Sequence, residues 1–136
     1  MDYRKEYEKW LASPALSEAE KAELRSLDEK EIEGRFYGPL EFGTAGLRGT
    51  MAVGLHNMNI HVIRHATQAF AEVILAEGPA AAAKGVAVCY DCRNHSQEFA
   101  REAACVMAAN GIPCRLFEAL RPTPEVSFAV REYGCI

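Results

Sequence analysis

Arg48 sits in the stretch LEFGTAGLRGT (40–50), among glycines at 43, 46 and 49, and is the one charged residue between Glu41 and His56. A guanidinium is a rigid fork of donors that suits two-point binding of carboxylate or phosphate. Glycine lets a backbone approach a ligand closely, so an arginine on such a loop is a candidate anion contact. Taken alone, the loop reads first as a hairpin or strand-end turn whose arginine points into water, and second as a phosphate-facing loop. It is neither GxGxxG nor a Walker sequence, because the closing Lys-Ser/Thr is missing, and nucleotide binding is not supported.

Two further loops carry candidate groups. Asp91 and Arg93 flank Cys92 just past the apolar run GVAVCY (85–90), where loops of open α/β sheets commonly line a ligand crevice. The competing reading is that the two brace each other. ALRPTPE (119–125) is stiffened by two prolines and holds Arg121 ahead of a helix start. Three loops rich in Arg, Gly and Pro, on alternate elements of one sheet, would form an anionic-ligand rim.

Cys89 and Cys92 make a CxxC, but it falls at a strand end, whereas a thioredoxin-like pair opens a helix whose dipole lowers the thiol pKa. With no second CxxC, His95 alone cannot complete a zinc site, so buried or incidental cysteine is preferred over a redox or metal role. His61 and His65, four apart on one helix, could share a metal, but no HExxH-type carboxylate accompanies them. The histidines read as surface or partner-satisfied residues.

The elements that must position these groups follow from periodicity. Residues 2–12 and 17–33 read as two helices of a polar N-terminal arm lying on the surface, the second opened by a Ser17–Glu20 capping box, with Leu24, Leu27 and Ile32 as its apolar stripe. Residues 39–57 read as loop and short strand. Asn59 caps a helix to about 77, with Ile63, Ala66, Phe70 and Val73 on one face. A strand over 85–90, a helix over 96–110 stopped by Gly111, and a strand over 112–117 follow. Thr123 and Pro124 then provide an N-cap and first-turn proline for a helix over 124–133. This βαβ grammar predicts an α/β fold: a three-layer α/β/α domain (36–136) with a mixed sheet, behind the helical arm (1–35). A strand should follow YGCI, so the fold is expected to be truncated before its last strand and to self-associate through the exposed sheet edge.

Composition narrows the classes. The 136 residues, 49% hydrophobic and 25% charged, suit one ordinary globular domain. Net charge is −4, which argues against nucleic-acid or membrane-surface partners. The start MDYRKEYEKW is too charged for a signal peptide, and five cysteines at irregular spacing are no disulfide framework, so a cytoplasmic protein is expected.

LEFGTAGLRG (40–49), VCYDCRNHS (88–96) and LRPTPEVSFAVREYG (120–134) together resemble the first domain of the α-D-phosphohexomutases. The likeness is to the phosphoglucomutase branch that includes phosphopentomutases, and KWLASPALSEAEKAELRSL (9–27) and EIEGRFYGPLEFG (31–43) extend it along nearly the whole chain. The resemblance implies an enzyme, a phosphoglucomutase-type isomerase interconverting glucose 1-phosphate and glucose 6-phosphate through an enzyme phosphoserine and a sugar bisphosphate. It implies magnesium, held by the phosphoserine and three aspartates of a second domain, and glucose 1,6-bisphosphate as activator and intermediate. Arg48 matches the family arginine that contacts the phosphosugar; Thr44 on the same loop and Arg93 are further substrate-binding candidates. The catalytic serine, in a TASHNP-type segment, and the metal ligands would lie beyond residue 136. No catalytic or metal residue is therefore assigned here, and the 136 residues alone are expected to be inactive. Phosphopentomutase or phosphomannomutase activity is the alternative within the family, and a non-catalytic sugar-phosphate or protein-interaction module the alternative outside it.

Overall fold

The computed structural model describes residues 2–43 and 46–136. They form an α/β chain of two compact units, Met1–Val62 and Ile63–Ile136.

The first unit begins with three short helices, α1 (Tyr3–Ala12), α2 (Glu18–Arg25) and α3 (Glu29–Phe36). The single helix expected over 17–33 is thus two. Asp28 breaks it by starting a capping box of its own: its carboxylate accepts from the Glu31 N–H at 2.9 Å, and the Glu31 carboxylate accepts from the Asp28 N–H at 2.9 Å. The expected box at Ser17 and Glu20 is present.

The arm does not merely lie on a surface. Leu16, Leu24, Ile32, Phe36 and Val53 form a core, flanked by Tyr7 and Trp10. Both aromatic rings meet Phe36 edge-on, with centroids at 5.6 and 5.7 Å. Each helix is polar over most of its surface and contributes only one or two large apolar residues, which is why sequence periodicity along one helix misses their convergence. Arg35 ties the core's rim together, pairing with Glu23 and donating to the Val53 carbonyl at 3.1 Å.

After α3 comes an antiparallel pair, β1 (Phe42–Gly43) and β2 (Gly46–Leu47), in the register Phe42↔Leu47 and Gly43↔Gly46. The next helix, α4 (Ile60–Ala76), is capped as expected: the Asn59 side-chain oxygen accepts from the Val62 N–H at 3.0 Å.

The second unit holds most of α4, then α5 (Pro79–Lys84), β3 (Val86–Val88), α6 (Ser96–Ala109), β4 (Cys114–Leu116) and α7 (Thr123–Tyr133). β3 and β4 run parallel, Val86↔Cys114 to Val88↔Leu116, with α6 as the crossover. Beside the start of β3, the Ile136 N–H donates to the Gly85 carbonyl at 3.0 Å.

Ala71, Ile74, Val86, Met107 and Ile112 form this unit's core. The buried face of α4 is therefore one position round from the expected stripe, and Phe70 and Val73 are exposed. Thr123 does not cap α7. Pro122, in extended conformation, is the cap residue, and no side chain bonds the first turn.

Candidate functional site

The hairpin β1–β2 holds Arg48 immediately after its second strand. Arg48 is exposed, and among the described residues its side chain is in no ion pair or hydrogen bond. Thr44, the second candidate on this loop, lies outside the described residues. The base of the hairpin is closed from one side by the segment 54–58. The Leu40 N–H donates to the Leu55 carbonyl at 3.2 Å on the incoming leg, and the Met58 N–H donates to the Thr50 carbonyl at 2.9 Å on the outgoing one. Gly49 permits the two legs to converge, since a Cβ there would stand 3.0 Å from a Leu40 methyl carbon. His56 reaches the same base: Nδ1 faces the carbonyls of Gly38 and Pro39 at 3.2 and 3.3 Å, and Nε2 meets the Tyr37 hydroxyl.

In the second unit, the parallel pairing puts the loops after β3 and β4 at one edge. They are joined there by the Arg121 N–H, which donates to the Tyr90 carbonyl at 2.9 Å, and by the Tyr90 hydroxyl, which donates to the Glu118 carbonyl at 3.1 Å. Arg93 and Arg121 thus share an edge. Both are already engaged: Arg93 Nε lies 3.0 Å from Asp91, and Arg121 Nε lies 3.2 Å from Glu125. The Asp91 carboxylate also accepts from the Arg93 backbone N–H at 3.0 Å. That N–H is the main reason its pKa is held below the usual carboxylate range, with Ser96 and the Arg93 charge adding to the effect. Of the two readings of this pair, mutual bracing is what the geometry shows.

The three-loop rim needs one correction. The Arg48 loop belongs to the antiparallel pair, a sheet separate from β3–β4.

Three histidines are satisfied by partners. His61 Nε2 lies 2.8 Å from the Glu20 carboxylate. His95 pairs with Glu98. Among the described residues no group of three His, Cys, Asp or Glu could hold a metal ion, and no chemical step is assigned to magnesium within them. No helix among them is long and apolar enough to cross a membrane.

Cys89 of the CxxC is shifted away from the thiolate form. Burial pushes the Cys89 thiol up, with the charges of Asp91 and Glu125 adding, whereas a reactive cysteine needs a depressed pKa. All five cysteines are free thiols. Thiol titration of denatured, non-reduced protein should return five thiols for this region after mild exposure to air; rapid reversible loss of the Cys89–Cys92 pair would restore the redox reading.

The profile of the phosphoglucomutase/phosphomannomutase α/β/α domain I matches residues 39–136, a stretch that includes the hairpin. The chain belongs to the phosphoglucomutase/phosphomannomutase family. It is 34% identical to a mouse phosphopentomutase over 128 residues, covering 90% of this chain and 21% of the relative. That alignment is longer than the matched domain, so the family likeness continues into the N-terminal helices. A probable phosphoribomutase of Schizosaccharomyces pombe is 41% identical over 111 residues (82% of this chain, 19% of the relative). A phosphoglucomutase of Staphylococcus saprophyticus is 36% identical over 103 residues (76% and 18%). The chain spans about a fifth of the length of these curated relatives. No solved structure matches it significantly.

Within the family-matched stretch, the first two candidate loops now differ in kind. Both side chains are exposed, but Arg93 is ion-paired with Asp91, whereas Arg48 has no side-chain partner among the described residues.

Proposed function

We propose that this region is the phosphosugar-contacting first part of a phosphoglucomutase-type enzyme interconverting glucose 1-phosphate and glucose 6-phosphate. A cytoplasmic, phosphoserine-bearing isomerase, supported by magnesium and glucose 1,6-bisphosphate, is the whole protein this reading implies. The observation that carries it is Arg48: an exposed arginine with no side-chain partner among the described residues, on a glycine hairpin inside the family-matched domain. Phosphoryl transfer asks the protein for positioning and charge neutralisation more than for covalent chemistry. A guanidinium fork on a closely approaching backbone supplies both to a phosphate monoester: two parallel N–H donors and a fixed positive charge.

A second reading is pentose phosphate as substrate, favoured by the phosphopentomutase and probable phosphoribomutase among the relatives.

The test is a comparison of kcat/KM on glucose 1-phosphate, ribose 1-phosphate and mannose 1-phosphate by the protein as its gene encodes it, with magnesium and the bisphosphate present. Preference for glucose 1-phosphate supports the proposal. Preference for the pentose transfers it to the second reading, and no turnover of any of the three overturns both in favour of a non-catalytic module.

A further inference from the structure

His56 is the hub of the hairpin's base. Its backbone N–H donates to the Arg35 carbonyl at 2.9 Å at the end of α3, and its ring reaches three consecutive residues, Tyr37, Gly38 and Pro39. These residues are the incoming leg of the hairpin that ends at Arg48.

The partners decide the tautomer. Gly38 and Pro39 offer only carbonyl oxygens to Nδ1, so Nδ1 carries the proton and shares it between them. In the neutral ring Nε2 is then an acceptor, and it takes the Tyr37 O–H. No other backbone donor reaches the Gly38 or Pro39 carbonyl among the described residues. Without the ring, the backbone bonds left to the incoming leg before the ladder are those from the Tyr37 N–H to the Glu33 carbonyl, at 2.9 Å, and from the Leu40 N–H to the Leu55 carbonyl, at 3.2 Å.

The clamp orders a segment that holds up little of the core. Tyr37 is 54% exposed and Phe42 70% exposed, Arg48 is exposed, and among the described residues the first unit's buried core has no member between 37 and 52. A loop with glycines at 43, 46 and 49 has much conformational freedom to lose. A polar clamp on an exposed, core-free hairpin stabilises a position more than it stabilises a fold.

We infer that His56, with Tyr37, is a positioning residue that sets where the Arg48 guanidinium meets the phosphosugar. This rests on the reading of Arg48 given above. Asn is the informative replacement, because its Nδ2 stands close to where His Nδ1 does and can donate to the same carbonyls, while the contact with Tyr37 is lost.

The experiment is a double-mutant cycle in the full-length enzyme, read as kcat and KM for the sugar phosphate it turns over best, with Tm measured for each variant. His56→Ala should raise KM by about five- to twentyfold with kcat much less affected, because the arginine is displaced rather than removed. His56→Asn should return to within about threefold of wild type, and Tyr37→Phe should cost about two- to threefold. Combined with Arg48→Ala, His56→Ala should add almost nothing, because both act through one guanidinium. Wild-type KM in His56→Ala, or losses that multiply in the double variant, would overturn the inference. If His56→Ala does not fold, His56→Asn and Tyr37→Phe carry the cycle with Arg48→Ala, and multiplicative losses there count against it equally. Wild-type kinetics in Arg48→Ala alone would instead sink the proposed function, and this inference with it.

Discussion

Arg48→Ala in the full-length enzyme is expected to lower kcat/KM by about ten- to a hundredfold while leaving Tm almost unchanged. Charge-assisted hydrogen bonds contribute roughly 1.5–3 kcal/mol each, and tenfold in rate corresponds to about 1.4 kcal/mol. Arg48→Lys keeps the charge and loses the planar fork, so it should fall between alanine and wild type. Stability should hold because Arg48 is exposed and, among the described residues, bonded to no side chain. A solvated side chain on a hairpin outside the core costs little to remove. If both variants keep wild-type kcat/KM, Arg48 is no site residue. A loss that tracks a fall in Tm would mean that it works for the fold.

The largest effect on stability is expected at Gly85, and it has nothing to do with phosphate. Gly85 has φ 73° and ψ −174°, a conformation essentially closed to residues with a Cβ. A Cβ at this position would lie 2.4 Å from the Pro113 carbonyl oxygen. That oxygen cannot retreat freely, because it accepts the Val86 N–H at 2.8 Å and so opens the β3–β4 ladder. Gly85→Ala should therefore cost about 3–5 kcal/mol, summing backbone strain and a clash with main chain.

Gly111→Ala is the control, since its φ is also 73° but no atom stands within 4 Å of the added Cβ. It should cost only about 1–2 kcal/mol, the penalty of a left-handed residue with a Cβ. Urea denaturation of the two variants beside wild type measures the difference. Equal losses would show that the contact with Pro113 and the extended ψ of Gly85 both relax, leaving only the cost of a positive φ.

Much of this architecture is legible in local signals. Ser17 and Glu20 announce a helix start, Asn59 another and Gly111 a helix end, because each is a short-range device whose partners lie within a few residues. Asp28–Glu31 is the same short-range signal as Ser17–Glu20, and it divides the 17–33 stretch into α2 and α3. Thr123 misled for a related reason. A cap is defined by a bond its side chain makes, and Pro122 took the half-helical position while no side chain bonded the first turn.

Residue type and order along the chain thus determined the α/β class, the family and the candidacy of Arg48, since these rest on patterns that survive without coordinates. Distance along the chain hid the rest. Only the tertiary structure decided that Leu16, Leu24, Ile32 and Phe36 meet Val53 in a core of their own, because burial is summed over elements separated by loops. It alone separated two exposed arginines of the same chemistry, Arg93 ion-paired with Asp91 and Arg48 without a side-chain partner among the described residues. It also turned His56 from one histidine among four into the residue that touches Tyr37, Gly38 and Pro39 together. Hydrogen-bond partners are chosen by proximity in space, and no spacing in the sequence encodes a contact across 17 to 19 residues whose only requirement is that the chain return.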